Sequence, residues 1–231
     1  EVKGQFPRTG SNQFIGREVV SYAAERDLVP DDGAPLTMGI DVARFGDDES
    51  VFRFRRGRDA RSTKPMRFRG KDTMALASEA ATAIERLKPE AVFVDGGGVG
   101  GGVVDRLKML GYRVIEVQSG EKASDEERYM NKRVEMWGHL REWLVHGCID
   151  NDEALIDDLT SPEYAVDLKG RLKLESKDSL KKRGLSSPDD ADALALTFAE
   201  QVSRLDTATA RARYRGSSMV AESSYDIFNS E

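Results

Sequence analysis

The sequence predicts an α/β domain: a mixed five-stranded sheet flanked by helices, with an auxiliary β-hairpin. Three observations predict it. A meander of short strands comes first, a strand–helix–strand alternation spans 91–117, and a hairpin leads into an acidic helix near the end. A length of 231 residues with 39% hydrophobic content suits one large domain with appendages. The single cysteine, Cys148, excludes an internal disulfide and fits a reducing compartment. No apolar run approaches the roughly 20 residues of a membrane helix, and no signal-peptide pattern opens the chain. A start at Glu1 without Met reads as a fragment or a processed piece.

Residues 1–35 read as a lead-in from something upstream. Within them G-Q-F-P-R-T-G-S-N is loop, 16–27 a short helix with Val19, Val20 and Ala23 on one side, and P-D-D-G-A-P a turn-rich linker. The apolar run 36–43 is the first strand and contains Asp41. After a turn at Gly46-Asp47-Asp48, Val51, Phe52 and Phe54 alternate loosely with arginines in a second strand. Residues 64–69 give a third, basic strand. Leu76, Ala80, Ala83, Ile84 and Leu87 share one face of a helix over 72–87, capped by Asp72 or Thr73 and stopped by Pro89. Strand 91–95, a glycine loop, helix 100–110 and strand 112–117 imply parallel pairing with a crossover.

The spacing then predicts a long helix over 126–146, with Met130, Val134, Trp137, Leu140 and Leu144 inward and Gly147 as C-cap. A short helix is expected at 152–160. Residues 163–175 read as a hairpin. A three-residue loop, Lys169-Gly170-Arg171, would place Leu168 opposite Leu172 and Val166 opposite Leu174. Ser187 as N-cap and Pro188 at the first position open a helix over 188–203. Residues 204–231 are polar, without a periodic apolar face, and read as a tail. The core domain is therefore 36–203.

This order, βββ-α-β-α-β-α followed by a hairpin and a helix, is the RNase H order. It sets Asp41 and Asp95 on neighbouring strands, and the last helix can bring Asp189 or Asp192 across from them. A buried carboxylate is costly unless it meets a cation or a strong donor. Singly, each aspartate suits a strand-end turn or a helix N-terminus. Together, with no His or Cys cluster, they suggest hard oxygen ligation of Mg²⁺ or Mn²⁺. In a two-ion scheme Asp41 bridges, Asp95 holds one ion, and Asp192, with or without Asp189, holds the other.

The net charge of −6 hides segregation. Residues 51–71 carry nine basic residues against Asp59, and 169–183 carry seven against Glu175 and Asp178. Two stripes beside a carboxylate site point to nucleic acid. Lys169, Arg171 and Lys173 of the hairpin, with Lys177, Lys181, Lys182 and Arg183 after it, are the expected phosphate contacts. The 53–71 stripe is a competing surface. A rival reading uses the glycine loop: Gly96, Gly98 and Gly101 fit a dinucleotide fingerprint, and Glu116 stands where a ribose-binding acid would. It leaves Asp41, the 189–192 acids and both stripes without a role. A non-catalytic DNA or protein docking module is the other alternative. His139 and His146 read as surface or packing residues, Trp137 and Trp143 as core and rim.

Four segments carry a resemblance: G-I-D-V-A-R-F-G-D-D-E-S, V-F-V-D-G-G-G-V-G-G-G-V, N-K-R-V-E-M-W and S-P-D-D-A-D-A-L-A-L-T-F-A. Together they resemble the nuclease domain of tailed-phage large terminase subunits, over about residues 1–203. The last also resembles the final motif of RuvC-type resolvases. The resemblance implies an RNase H-like endonuclease that cuts concatemeric viral double-stranded DNA during packaging, with two Mg²⁺ or Mn²⁺ ions. By position Asp41 and Asp95 are its first two metal carboxylates, and the third is Asp189 or Asp192. It further implies an upstream ATPase domain, a small terminase subunit and a portal protein as partners, action in the cytoplasm of an infected bacterial host, and a monomeric isolated domain.

Overall fold

The computed structural model describes residues 12–27, 32–43 and 48–203. The loop read at 4–12, the Gly46-Asp47-Asp48 turn and the 204–231 tail lie wholly or largely outside them. The main sheet contains β1 (Leu36–Asp41), β2 (Ser50–Arg56), β3 (Asp59–Ala60), β4 (Met66–Phe68), β5 (Ala91–Asp95), β6 (Ile115–Val117) and β7 (Cys148–Ile149). Its order is β6-β5-β1-β2-β3-β7, with β4 also on β2. β1 runs antiparallel to β2 and parallel to β5, which is parallel to β6. This is the RNase H-like arrangement. The antiparallel β1–β2 pair and the further antiparallel strands on β2 depart from the mostly parallel sheet that the dinucleotide reading expects. The two-residue strands β3 and β7 widen the expected five strands to seven; such short pairings leave no sequence pattern.

Both faces of the sheet are covered. On one side α2 (Thr73–Leu87) and α3 (Gly100–Met109) close a core around Met38, Ile40, Phe52, Phe54, Leu76 and Val104. On the other lie α1 (Arg17–Glu25), α4 (Lys132–Leu144), α5 (Glu153–Thr160) and α7 (Asp189–Leu196), around Phe93, Trp137, Leu140, Leu155 and Leu194. Phe14, Ile15, Val20 and Ala23, read from sequence as part of a lead-in, are buried in this second core.

Three helix boundaries differ from expectation for identifiable reasons. α4 begins at Lys132 rather than 126, because Asn131 caps it by accepting the Val134 N–H at 3.1 Å. The preceding loop is held by buried Glu135, which accepts the Ser124 and Asp125 N–H groups. Met130 is accordingly exposed, not inward, and its N–H goes to the Leu172 carbonyl. α7 ends at Leu196 instead of 203: Arg55 donates to both Oγ1 and the carbonyl of Thr197 and draws the chain out of the helix. At its start Ser187 does not cap; its hydroxyl donates to Asp189 at 2.6 Å. Finally, the 177–183 run contains a short helix, α6 (Lys177–Lys182), capped by Ser176.

The hairpin is β8 (Tyr164–Val166) with β9 (Leu172–Leu174), and Val166 faces Leu172 rather than Leu174. The register slips by two residues because Asp167 organises a longer loop. Its carboxylate accepts the N–H groups of Lys169 and Arg171. A two-residue slip keeps every side chain on its face.

The 51–71 basic stripe is the largest departure. Both faces of β2 are buried, so the alternation of Phe with Arg does not mark a solvated side. Arg53, 1% exposed, lies under α7 between Asp190 and Asp150. Arg67 pairs with Asp190 and Asp152. Arg55 stacks over Phe198, 4.1 Å from the ring centroid. Arg61 donates to the carbonyls of Ile149, Ala24 and Arg26. Arg53, Arg55 and Arg61 thus serve the packing of the domain; Arg58, Lys64, Arg67 and Arg69 are the stripe's exposed members, Arg67 and Arg69 being paired with acids.

Gly39 sets how closely α7 approaches the sheet. A Cβ there would lie 2.0 Å from the Ala193 carbonyl oxygen and 3.0 Å from Leu196 Cβ. Backbone of a packed helix cannot yield locally, so Gly39→Ala must push α7 off β1. The expected loss in urea unfolding is at least about 3 kcal/mol, the upper part of the overpacking range. An unchanged unfolding midpoint would show that α7 is not seated this way.

Candidate active site

The site forms where strand ends meet a helix start. β1 and β5 are in parallel register with Ile40 beside Val94, so Asp41 and Asp95 follow as neighbours at the strands' carboxyl ends. α7 crosses above. Asp189 and Asp192, three residues apart, share its inward face, while Asp190 turns away towards Arg53. The structure thus gathers all four expected carboxylates on one side of the sheet, and it adds a residue that sequence reasoning placed elsewhere.

That residue is Lys177. Its ammonium lies 3.1 Å from Asp41 Oδ2, 3.2 Å from Asp189 Oδ1 and 3.1 Å from Asp192 Oδ2. Read from sequence as a phosphate contact, it stands here as the cation at the centre of the acidic group. Burial opposes its charge, but the three aspartates hold its pKa well above the usual lysine value. Asp41 is 3% exposed. Burial raises its pKa from 3.8 to about 7; Lys177 opposes this, and the charges of Asp192, Asp189 and Asp95 add to it.

The two α7 candidates differ in how heavily they are engaged. Asp192 receives Nε and Nη2 of Arg133 at 2.9 and 3.1 Å and the indole N–H of Trp137 at 2.8 Å. Although burial works against it, Arg133 and Lys177 hold its pKa at about 2. Asp189 accepts the Ser187 hydroxyl and the Glu49 N–H, the latter at 3.2 Å. Asp95 accepts the Gly97 N–H at 3.0 Å and the Ser119 hydroxyl at 3.1 Å. Arg133 and Trp137 were missed as site residues; their one sequence signal is the N-K-R-V-E-M-W segment.

The glycine loop has a structural role. A Cβ on Gly100 would lie 1.8 Å from the Asp95 carbonyl oxygen, so glycine lets α3 start against the end of β5. The Asp95 carboxylate occupies the Gly97 N–H that an incoming pyrophosphate would need, and Glu116 bonds Gln118 and pairs with Lys108.

Among the described residues no three His, Cys, Asp or Glu side chains stand in ligating geometry. The donor set nonetheless fits a hard cation. It is all carboxylate oxygen, and three of its four members, Asp41, Asp189 and Asp192, are buried and already converge on a positive charge. Of the expected phosphate contacts, Lys169, Lys173 and Lys182 are exposed. Lys181 pairs with Asp48, Arg171 with Asp167, and Arg183 with Glu175 and Glu163. His139 and His146 are exposed and away from the acids; Trp137 is buried core and Trp143 partly buried beside Phe198.

The chain matches no protein-family model and no curated protein sequence. Its fold is RNase H-like, and the solved structures that share it include large terminase nuclease domains. That of the large terminase subunit gp2 of bacterial virus Sf6 has a TM-score of 0.68 at 17% identity, covering 82% of this chain and 99% of its own. A variant of that domain, solved with manganese and beta-thujaplicinol, has a TM-score of 0.71 at 18% identity over the same shares. The large terminase nuclease of thermophilic phage G20c, solved with magnesium, has a TM-score of 0.56 at 17% identity, covering 74% of this chain and 83% of its own. No helix among the described residues is long and apolar enough to cross a membrane.

The Asp41 shift has a consequence for the metal-free protein. The folded state holds this proton up to about pH 7, the unfolded state only to about 3.8. The group's contribution is therefore full below the unfolded value and is lost as pH rises towards and through 7. Asp41→Asn removes the dependence. Relative to the parent, the variant should gain on the order of 3–4 kcal/mol between pH 4 and pH 8 in EDTA, read by chemical unfolding. A pH-independent difference would contradict the assignment.

Proposed function

We propose that the chain is a divalent-metal-dependent DNA endonuclease of the large-terminase type, cutting concatemeric viral double-stranded DNA during genome packaging. One observation carries the reading: Asp41 at a strand end and Asp189 and Asp192 on a facing helix converge on a single cation, with Asp95 ending the adjacent strand, in a fold shared with terminase nuclease domains. Asp41, Asp95, Asp189 and Asp192 would hold two Mg²⁺ or Mn²⁺ ions, which supply a nucleophilic hydroxide and charge neutralisation at the scissile phosphate.

The chain's own residues have distinct tasks. Asp41, central and deepest, must shed its proton to act as a ligand. Lys177 must leave the carboxylates for ligation to occur, and it is then a donor at hand for a phosphate oxygen. Arg133 and Trp137 keep Asp192 ionised and fixed in orientation. That engagement leaves Asp189 the more available α7 carboxylate, with Asp192 sharing the task. Lys169, Lys173, Lys181 and Lys182 hold flanking phosphates, contacts that carry little sequence information. An upstream ATPase domain, a small terminase subunit and a portal protein would complete the machine, in the cytoplasm of an infected bacterium.

The direct test is nicking of supercoiled plasmid in Mg²⁺, Mn²⁺, Ca²⁺ and EDTA. Mn²⁺ should support cutting at least as well as Mg²⁺, and Ca²⁺ and EDTA should not. Asp41→Asn and Asp95→Asn should each lose more than the roughly 100-fold attributed to outer-shell changes at metal sites. A protein that binds plasmid but cuts in none of these metals would be a docking module instead.

Lys177 makes a separate prediction. Removing an ammonium from the carboxylates should raise the affinity of the protein for Mn²⁺ by roughly ten-fold or more, since like charge disfavours the ion. Titration calorimetry of Lys177→Ala against the parent, without DNA, measures this. Weaker Mn²⁺ binding by the variant would mean that Lys177 does not compete for the site.

A further inference from the structure

Leu168 is 97% exposed, more than any other large apolar side chain on the described residues. It sits at the tip of the β8–β9 hairpin, in a loop whose conformation is tied down. The Asp167 N–H donates to the Arg171 carbonyl at 2.9 Å, the Asp167 carboxylate takes the Lys169 and Arg171 N–H groups and Arg171 Nε, and Gly170 takes φ 82°. The leucine is thus presented by a bonded turn. Val166, 57% exposed, stands two residues before it.

The charges around this tip say what it meets. Residues 164–174 carry Lys169, Arg171 and Lys173 against one carboxylate, Asp167, which Arg171 neutralises. Lys169 and Lys173 remain exposed. A partner with an anionic outside and an apolar inside matches lysines flanking a leucine, and duplex DNA has that build: phosphates without, stacked bases within. The root of the hairpin leads into the active site, since β9 passes through Glu175 and the Ser176 cap directly to Lys177. Nine residues separate Leu168 from Lys177, a reach of at most about 30 Å, or roughly nine base pairs.

We propose that Leu168 is a wedge: the hairpin tip enters a groove, Leu168 parts two adjacent base pairs, and Lys169 and Lys173 hold the phosphates on either side. The inference rests on the nuclease reading and adds a distortion of the duplex close to the cut.

Parting base pairs unwinds DNA whatever its sequence, so the test is topological. Closed circular plasmid is relaxed by a metal-independent topoisomerase with the protein present, once in EDTA and once in Ca²⁺, and the topoisomers are resolved after protein removal. The parent and Leu168→Phe should shift the distribution. Leu168→Ala and Leu168→Lys should lose the shift while still retarding the plasmid in a gel; an exposed tip residue leaves the fold intact. A parent that retards plasmid and shifts nothing, or a Leu168→Ala protein that shifts like the parent, overturns the wedge. If such a protein still cuts in Mg²⁺, the nuclease reading survives that result. A parent that neither retards nor cuts plasmid overturns both.

Discussion

Arg53 fixes the helix on which the site depends. It is fully buried under α7, held by Asp190 from above and Asp150 from the chain after β7. Burying a guanidinium costs several kcal/mol that the pairing repays only in part, so such a group contributes more to register than to stability. Asp190 is about 100° around the helix from Asp189. Once Asp190 is tied to Arg53, the rotation of α7 is set, and Asp189 and Asp192 must face Asp41. Gly39 sets the depth of the same helix. One ion pair fixes its turn and one missing side chain its height.

The α4 side supplies the second anchor. Arg133 and Trp137 clasp Asp192, and Glu135 on the same helix holds the loop that precedes it. α7 is therefore pinned at two of its acids, from the sheet and from a neighbouring helix. The pins also sort the acids electrostatically. Asp192 is kept ionised by two cations, while Asp41, deepest and ringed by carboxylates, is pushed towards neutrality.

Much of this was legible from the sequence. Strand ends at Asp41 and Asp95, the crossover between them and the acids of α7 all follow from periodicity, turn residues and element order. Legibility failed wherever a long polar side chain is used inside. The alternation in β2 looks the same whether arginines face water or the underside of a helix, and only tertiary packing decides. Lys177 failed for the same reason: one lysine in a basic run carries no mark that distinguishes it from Lys181 or Lys182. The hairpin register slipped because Asp167 organises its loop through side-chain bonds that a match of apolar faces does not register. Capping by Asn131 outweighs the apolar periodicity that would place Met130 on the same helix face as Val134.

The position of Lys177 bears on the order in which the molecule is assembled. Many metal sites cannot form without their ion, because bare ligands repel one another and the chain stays open until the metal arrives. Here the counter-charge is covalently part of the chain. The acids can close around Lys177 during folding, and the domain reaches its final shape with no dependence on the metal supply of its surroundings. Under the metal-dependent reading proposed above, loading would be an exchange of one cation for another in a finished pocket. The side chain that such loading would displace belongs to α6, a six-residue helix too short to be stable alone, so its release would disturb little else.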